Sequence, residues 1–188
     1  MGRRVFQLRV TLDDVTPPVW RRVLVPAAYT LDRVHRVIQH AMGWQDYHLH
    51  SFEIEGAQFG VPDPEGELDL RDELEVRLDA VAGKDTRFAY VYDFGDWWEH
   101  EVVVETVSLA EPDERYPFCL EGERACPPED VGGVWGYADF LAAIADPEDE
   151  QHEDMREWIG GKFDPEAFDP TAATKRMRRG LPNWREMR

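Results

Sequence analysis

Serine is nearly absent from this 188-residue chain, lysine is scarce and cysteine occurs only twice. Ser51 and Ser108 are the only serines, and neither lies among the arginines that a serine nucleophile needs to attack a phosphodiester. The lysines are Lys84, Lys162 and Lys175, with no glycine-rich phosphate loop and no His-Arg-Asp loop, so the tripeptide Asp93-Phe94-Gly95 does not make a kinase. A dinucleotide fingerprint is also missing. Cys119 and Cys126 are too few for a disulfide framework and too far apart for a zinc knuckle. Buried thiols are expected, with a single bridge or a zinc pair completed by a remote histidine as the alternatives. No run approaches the ~18 apolar residues of a membrane span, and the N-terminus passes directly into strand-like alternation, so no membrane association and a cytoplasmic location are expected.

Positive charge is the other deficit. Twenty-one basic side chains face 39 acidic ones, a formal charge of −18, which excludes a general polyanion binder. The one place where the sign reverses is residues 175–188, with six basic residues and one acid. Nucleic acid is therefore expected to bind, if at all, through this basic tail; the alternative is a strap over the acidic body.

What the chain does have is a core. Hydrophobic residues make up 43% and aromatics 12%, enough for one compact unit. Phe6, Leu8, Val10 and Leu12 alternate with polar residues as in a half-buried strand, and Val19–Val25, closed by Pro26, is a second. Thr30 opens a helix with Leu31, Val34, Val37, Ile38, Ala41 and Met42 on its apolar face, Gly43 at its end, and His35, Arg36, Gln39 and His40 on a solvated side. A third strand is expected over His48–Glu55, a solvated loop over Gly60–Glu67, a strand near Leu74–Leu78 followed by a helical turn, and a hairpin from Phe88–Tyr92 and Trp98–Val107. Residues 111–134, rich in proline and glycine, read as a long irregular segment. Tyr137, Phe140, Leu141 and Ile144 mark a helix that ends at Asp146-Pro147. Many strands with few crossovers favour an α+β fold: an antiparallel or mixed sheet packed against a few helices, with a single compact domain over residues 1–170 and a basic tail over 171–188.

Four segments, Pro17–Pro26 (PPVWRRVLVP), Ile38–Ile54 (IQHAMGWQDYHLHSFEI), Tyr90–Glu105 (YVYDFGDWWEHEVVVE) and Gly122–Leu141 (GERACPPEDVGGVWGYADFL), resemble the plasmid pRiA ORF-3-like family in its motifs and their order, and Phe163–Asp169 (FDPEAFD) resembles its C-terminal ending. The resemblance implies a small α+β fold with an antiparallel sheet packed against helices, in a family carried on plasmids, in insertion elements and in ordinary chromosomes. It implies little about activity, and the transposon-resolvase label borne by some members does not suit a chain with these two serines.

Two loops and three histidines remain as candidates. The loops Asp93–Trp98 and Cys126–Gly133 combine acids, aromatics and turn residues, and their Asp93, Asp96, Trp97, Glu129 and Asp130 are the expected contacts for a protein or a small basic partner. Gly95 is expected to supply the positive φ of the first turn. Adjacent Trp97 and Trp98 cannot both face inward on a strand, and Trp97 is the one expected outside. His48 and His50 share one strand face in H-x-H spacing; were His100 alongside, the three could hold a divalent metal, with Asp93, Asp96 or Glu101 completing the shell, as in a metal-dependent hydrolase or nuclease. The lack of any recognisable nucleophile motif favours a noncatalytic binding or accessory domain over that enzyme.

Overall fold

Alternation at the N-terminus becomes strand β1 (Arg4–Leu12), in which Phe6, Leu8, Val10 and Leu12 are buried while Gln7, Arg9 and Thr11 are half-buried on the opposite face. The computed structural model describes residues 3–62, 69–181 and 184, and in it the chain continues as β2 (Trp20–Pro26), α1 (Leu31–Met42), β3 (His50–Ile54), β4 (Ala57–Gly60), β5 (Arg71–Asp72), α2 (Leu78–Val81), β6 (Arg87–Tyr92), β7 (Trp98–Leu109), β8 (Phe118–Glu123), α3 (Gly133–Ala145), α4 (His152–Trp158) and α5 (Pro170–Arg179). The strands form one mixed sheet in the order β5-β4-β3-β6-β7-β1-β2-β8. Every pairing is antiparallel except that of β4 with β5. This is the α+β arrangement expected from the sequence, in a single compact fold.

The two faces of the sheet differ because their residues do. One is apolar and packs against helices. The other is a polar lattice, in which Arg22 pairs with Glu105 at 2.6 Å and with Glu121, Gln7 donates to Glu105 at 2.8 Å, and Arg9 lies over the ring of Trp20. Antiparallel sheets tolerate this one-sided burial.

Helix α1 runs as its periodicity predicts, and Gly43, at φ 114°, closes it with an N–H donated to the Gln39 carbonyl. Its polar side is solvated only in part, with Arg36 exposed and His40 half-buried. His35 and Gln39 are buried, because the Tyr90 hydroxyl of β6 lies 2.8 Å from His35 Nδ1 and accepts from Gln39 Nε2 at 3.0 Å.

Elsewhere the elements differ in extent from the sequence reading. The strand expected at Leu74–Leu78 is replaced by the short β5 and an isolated bridge between Thr30 and Arg77, while the helical turn expected after it is α2. The irregular segment 111–134 contains β8, which pairs with β2 and is fastened by Arg21, a buried guanidinium that donates to the carbonyls of Glu123 and Arg124 at 2.8 Å each. Of the expected loop Gly60–Glu67, residues 63–67 lie outside the described residues, as do Arg185 and Arg188 of the basic stretch.

The C-terminal segment begins with a docked helix. Asp169 caps α5 by accepting from the Thr171 N–H at 2.8 Å, and Ala173 and Met177 are buried. Arg176 donates to the His40 carbonyl and Arg178 to that of Pro117, both at 3.0 Å. The boundary expected at residue 170 thus falls at the first turn of a helix packed on α1 and β8. Among the described residues no helix is long and apolar enough to cross a membrane.

Candidate functional site

Strand order decides what the histidines do. His50 on β3 pairs with Tyr92 on β6, and Tyr90 on β6 pairs with His100 on β7, so β6 separates the two histidine-bearing strands. Two strand spacings amount to roughly 10 Å, beyond shared coordination of one ion. His100 is fully buried against Trp44 and Tyr90, with Nδ1 3.1 Å from the Tyr90 carbonyl, and burial lowers its pKa to about 4. His48 lies outside β3, on a bend ahead of it. The expected His48, His50 and His100 metal set is therefore not assembled; each histidine has a separate setting.

His50 stacks face to face on His35 of α1, with ring centroids 3.4 Å apart and planes 7° from parallel. Each imidazole has its own carboxylate: His35 Nε2 is 2.8 Å from Asp46 and His50 Nε2 is 2.7 Å from the buried Glu73. Burial lowers the His35 pKa against the opposing pull of Asp46, whose own pKa is lowered by that hydrogen bond. Sequence reading missed Asp46, Glu73 and the burial of His35. Nothing in the local pattern marks them, because the partners come from α1, the loop after it, β3 and the loop after β5, and only the tertiary fold brings these together.

The two loops singled out in the sequence do meet. Asp93 follows β6 at φ 57°, its N–H donating to the Leu49 carbonyl, and its Oδ1 accepts from the Gly95 N–H at 2.9 Å. Asp93 and Trp97, at φ 56°, take the positive-φ positions of the turn; Gly95 does not. Asp96 reaches across to accept from the Gly132 N–H at 3.1 Å. Asp130, also at φ 57°, brings Oδ1 to 2.9 Å from His48 Nε2, and Asp93 Oδ2 lies 3.6 Å from the same nitrogen. Glu129 turns inward instead: it accepts from the Gln45 N–H at 2.7 Å and from the Tyr92 hydroxyl at 3.1 Å, and burial raises its pKa. Trp44 fastens the same loop by donating from Nε1 to the Pro127 carbonyl at 3.0 Å.

Around this junction the surface is aromatic. Trp97 is 56% exposed while Trp98 is 1% exposed, and Trp135 in the first turn of α3 is 84% exposed. Tyr47, Leu49 and Trp158 are exposed as well. Beside the Cys126–Asp130 segment opens a cleft of about 900 Å³, walled by Tyr47, Pro128, Trp158 and Phe163 among others. Cys119 and Cys126 are both free thiols, and burial raises both pKa values, that of Cys119 to about 11. Neither is a poised nucleophile.

Comparison with known proteins agrees with these motifs. The family profile of the plasmid pRiA4b ORF-3-like protein matches residues 4–172, nearly the whole chain and on into the first turn of α5. The chain is 46% identical over 164 residues to "Uncharacterized protein y4hQ" of Sinorhizobium fredii (strain NBRC 101917 / NGR234), covering 85% of this chain and 83% of that protein. It is also similar to the crystal structure of a protein of unknown function, MM3350 from Methanosarcina mazei Go1, with a TM-score of 0.84 and 38% identity over 91% of this chain and 98% of that one. The chain belongs to the plasmid pRiA4b ORF-3-like family.

Proposed function

We propose that this member of the plasmid pRiA4b ORF-3-like family is a noncatalytic binding module that seats a cationic segment of a partner protein on the rim formed by the Asp93–Trp98 and Cys126–Gly133 loops. The observation that carries the reading is the pair of exposed tryptophans on either side of the Asp96–Gly132 hydrogen bond: Trp97 directly after Asp96, and Trp135 shortly after Gly132. Exposed apolar residues gathered in one patch mark interaction surfaces, and tryptophan is enriched among residues that dominate binding energy. Tryptophan faces attract guanidinium and ammonium groups by about 0.5–1 kcal/mol at exposed sites. Here they sit beside Asp96 and Asp130 on a chain of charge −18, so the field steers cations to the rim.

The reading is tested with an arginine-rich peptide titrated against the protein at several salt concentrations. Trp97→Ala and Trp135→Ala should each weaken binding about two- to fivefold, while Leu109→Ala, which removes an exposed apolar residue at the end of β7, should leave it unchanged. Equal affinity in wild type and both tryptophan variants, or equal loss in the Leu109 variant, would reject the rim as the site.

A further inference from the structure

We infer that His48, Asp93 and Asp130 form a binding site for one divalent first-row transition cation. The three ligand atoms lie within 4.8 Å of one another and come from three separate places: the bend before β3, the end of β6 and the loop before α3. Coordination bonds of about 2.0–2.2 Å to nitrogen and carboxylate oxygen set ligand-to-ligand separations of roughly 3.0–3.5 Å. The separations from His48 Nε2, 2.9 Å to Asp130 Oδ1 and 3.6 Å to Asp93 Oδ2, bracket that range.

A second, independent observation concerns direction. His48 Nε2 is buried and has no hydrogen-bond partner, although a carboxylate oxygen is 2.9 Å away. The Asp130 oxygen, although close, lies off the line of a hydrogen bond, and the Asp93 oxygen at 3.6 Å is beyond hydrogen-bond length. A cation held jointly by the nitrogen and both oxygens accounts for that geometry, and buried polar groups without partners otherwise cost stability. Asp93 is the fixed ligand, 6% exposed and anchored through Oδ1 to the Gly95 N–H, while Asp130 sits at the surface. Three protein ligands beside solvent leave positions for water, and one imidazole with two carboxylates suits zinc or manganese better than calcium or copper(I).

The other histidine cluster does not compete. With the His35 and His50 rings parallel at 3.4 Å, a single ion cannot lie in both ring planes, and each Nε2 is already engaged by a carboxylate. The site borders the tryptophan rim and shares Asp130 with it, but neither Trp97 nor Trp135 is a ligand and ion binding is measured with no peptide present, so the two can fail independently.

The test is calorimetric titration of chelator-stripped protein with Zn²⁺ and, separately, Mn²⁺ at moderate salt, on the full chain. One ion per chain is expected, with affinity at least tenfold weaker in both His48→Ala and Asp130→Asn and unchanged in Glu150→Gln, an exposed acid outside the cluster. Asp130 is exposed, so its variant remains decisive even if His48→Ala loses stability. In NMR spectra, Mn²⁺ should broaden the His48 ring protons before those of His35 and His50. Absence of saturable one-to-one binding, wild-type affinity in the Asp130 variant, or earlier broadening of His35 and His50 would each overturn the assignment.

Discussion

Oδ2 of Asp96 accepts a hydrogen bond from the backbone N–H of Gly132 at 3.1 Å, so the turn between β6 and β7 and the segment leading into α3 share one surface. A carboxylate at this point meets the first free amides of a helix, where negative charge is favoured. The junction places Trp97 and Trp135 around it, and the same two loops supply Asp93 and Asp130 to His48.

Gly133 allows the two loops to approach this closely. A Cβ there would come within 2.6 Å of the Asp96 carbonyl oxygen, and its φ of +68° is one that L-residues avoid. Gly133→Ala is expected to destabilise the fold by about 1–3 kcal/mol, seen as a lower urea midpoint with an unchanged slope. An unchanged midpoint would mean that the loops are not held together as described.

The adjacent tryptophans should separate cleanly in mutagenesis. Trp98 is in the core, tilted against Trp44 and edge-on to Tyr137, and Trp98→Ala is expected to cost about 3–5 kcal/mol. Trp97→Ala should change stability by no more than about 0.5 kcal/mol. Thermal or chemical denaturation of the two variants gives the comparison, and similar losses in both would contradict the assignment of one to the core and one to the surface.

His100 gives the fold an acid-sensitive point. Burial lowers its pKa from 6.5 to about 4, so between those values the unfolded chain takes up a proton that the folded chain refuses. Stability should therefore rise with pH through that window and fall as pH drops through it, by an amount on the order of 3 kcal/mol at the acid end. His100→Gln, whose amide can still donate toward the Tyr90 carbonyl, should give a flatter stability profile between pH 4 and 6.5 than wild type. Parallel profiles would show that His100 is not the group responsible.

Much of the fold was legible in the sequence because it rests on local period. The alternation of Phe6, Leu8, Val10 and Leu12, the three- and four-residue spacing from Leu31 to Met42, and the turn residues between Tyr92 and Trp98 each specify an element without reference to the rest of the chain. The two candidate loops were legible for the same reason, as clusters of turn residues, acids and aromatics. The histidine cluster was not. Whether His50 meets His100 or His35 depends on β6 lying between β3 and β7, and strand order is a property of the whole chain. Strand β8 was hidden as well, since its docking relies on Arg21 donating to distant carbonyls and on Gly122 passing close to Trp20. Helix α5 reads as a basic run because its arginines dominate the composition, yet Arg176 and Arg178 bond to carbonyls across the helix and strand it covers.

The most direct test of the central claim, that the joined loops form a cation-recognising surface, is a nitrogen–proton correlation spectrum recorded while an arginine-rich peptide is added. The indole signals of Trp97 and Trp135 and the amides of Gly132 and Gly133 should shift first and saturate together, with the buried Trp98 indole little affected. Shifts that begin at α5 or at Trp158, with the Trp97 and Trp135 indoles unmoved, would contradict it.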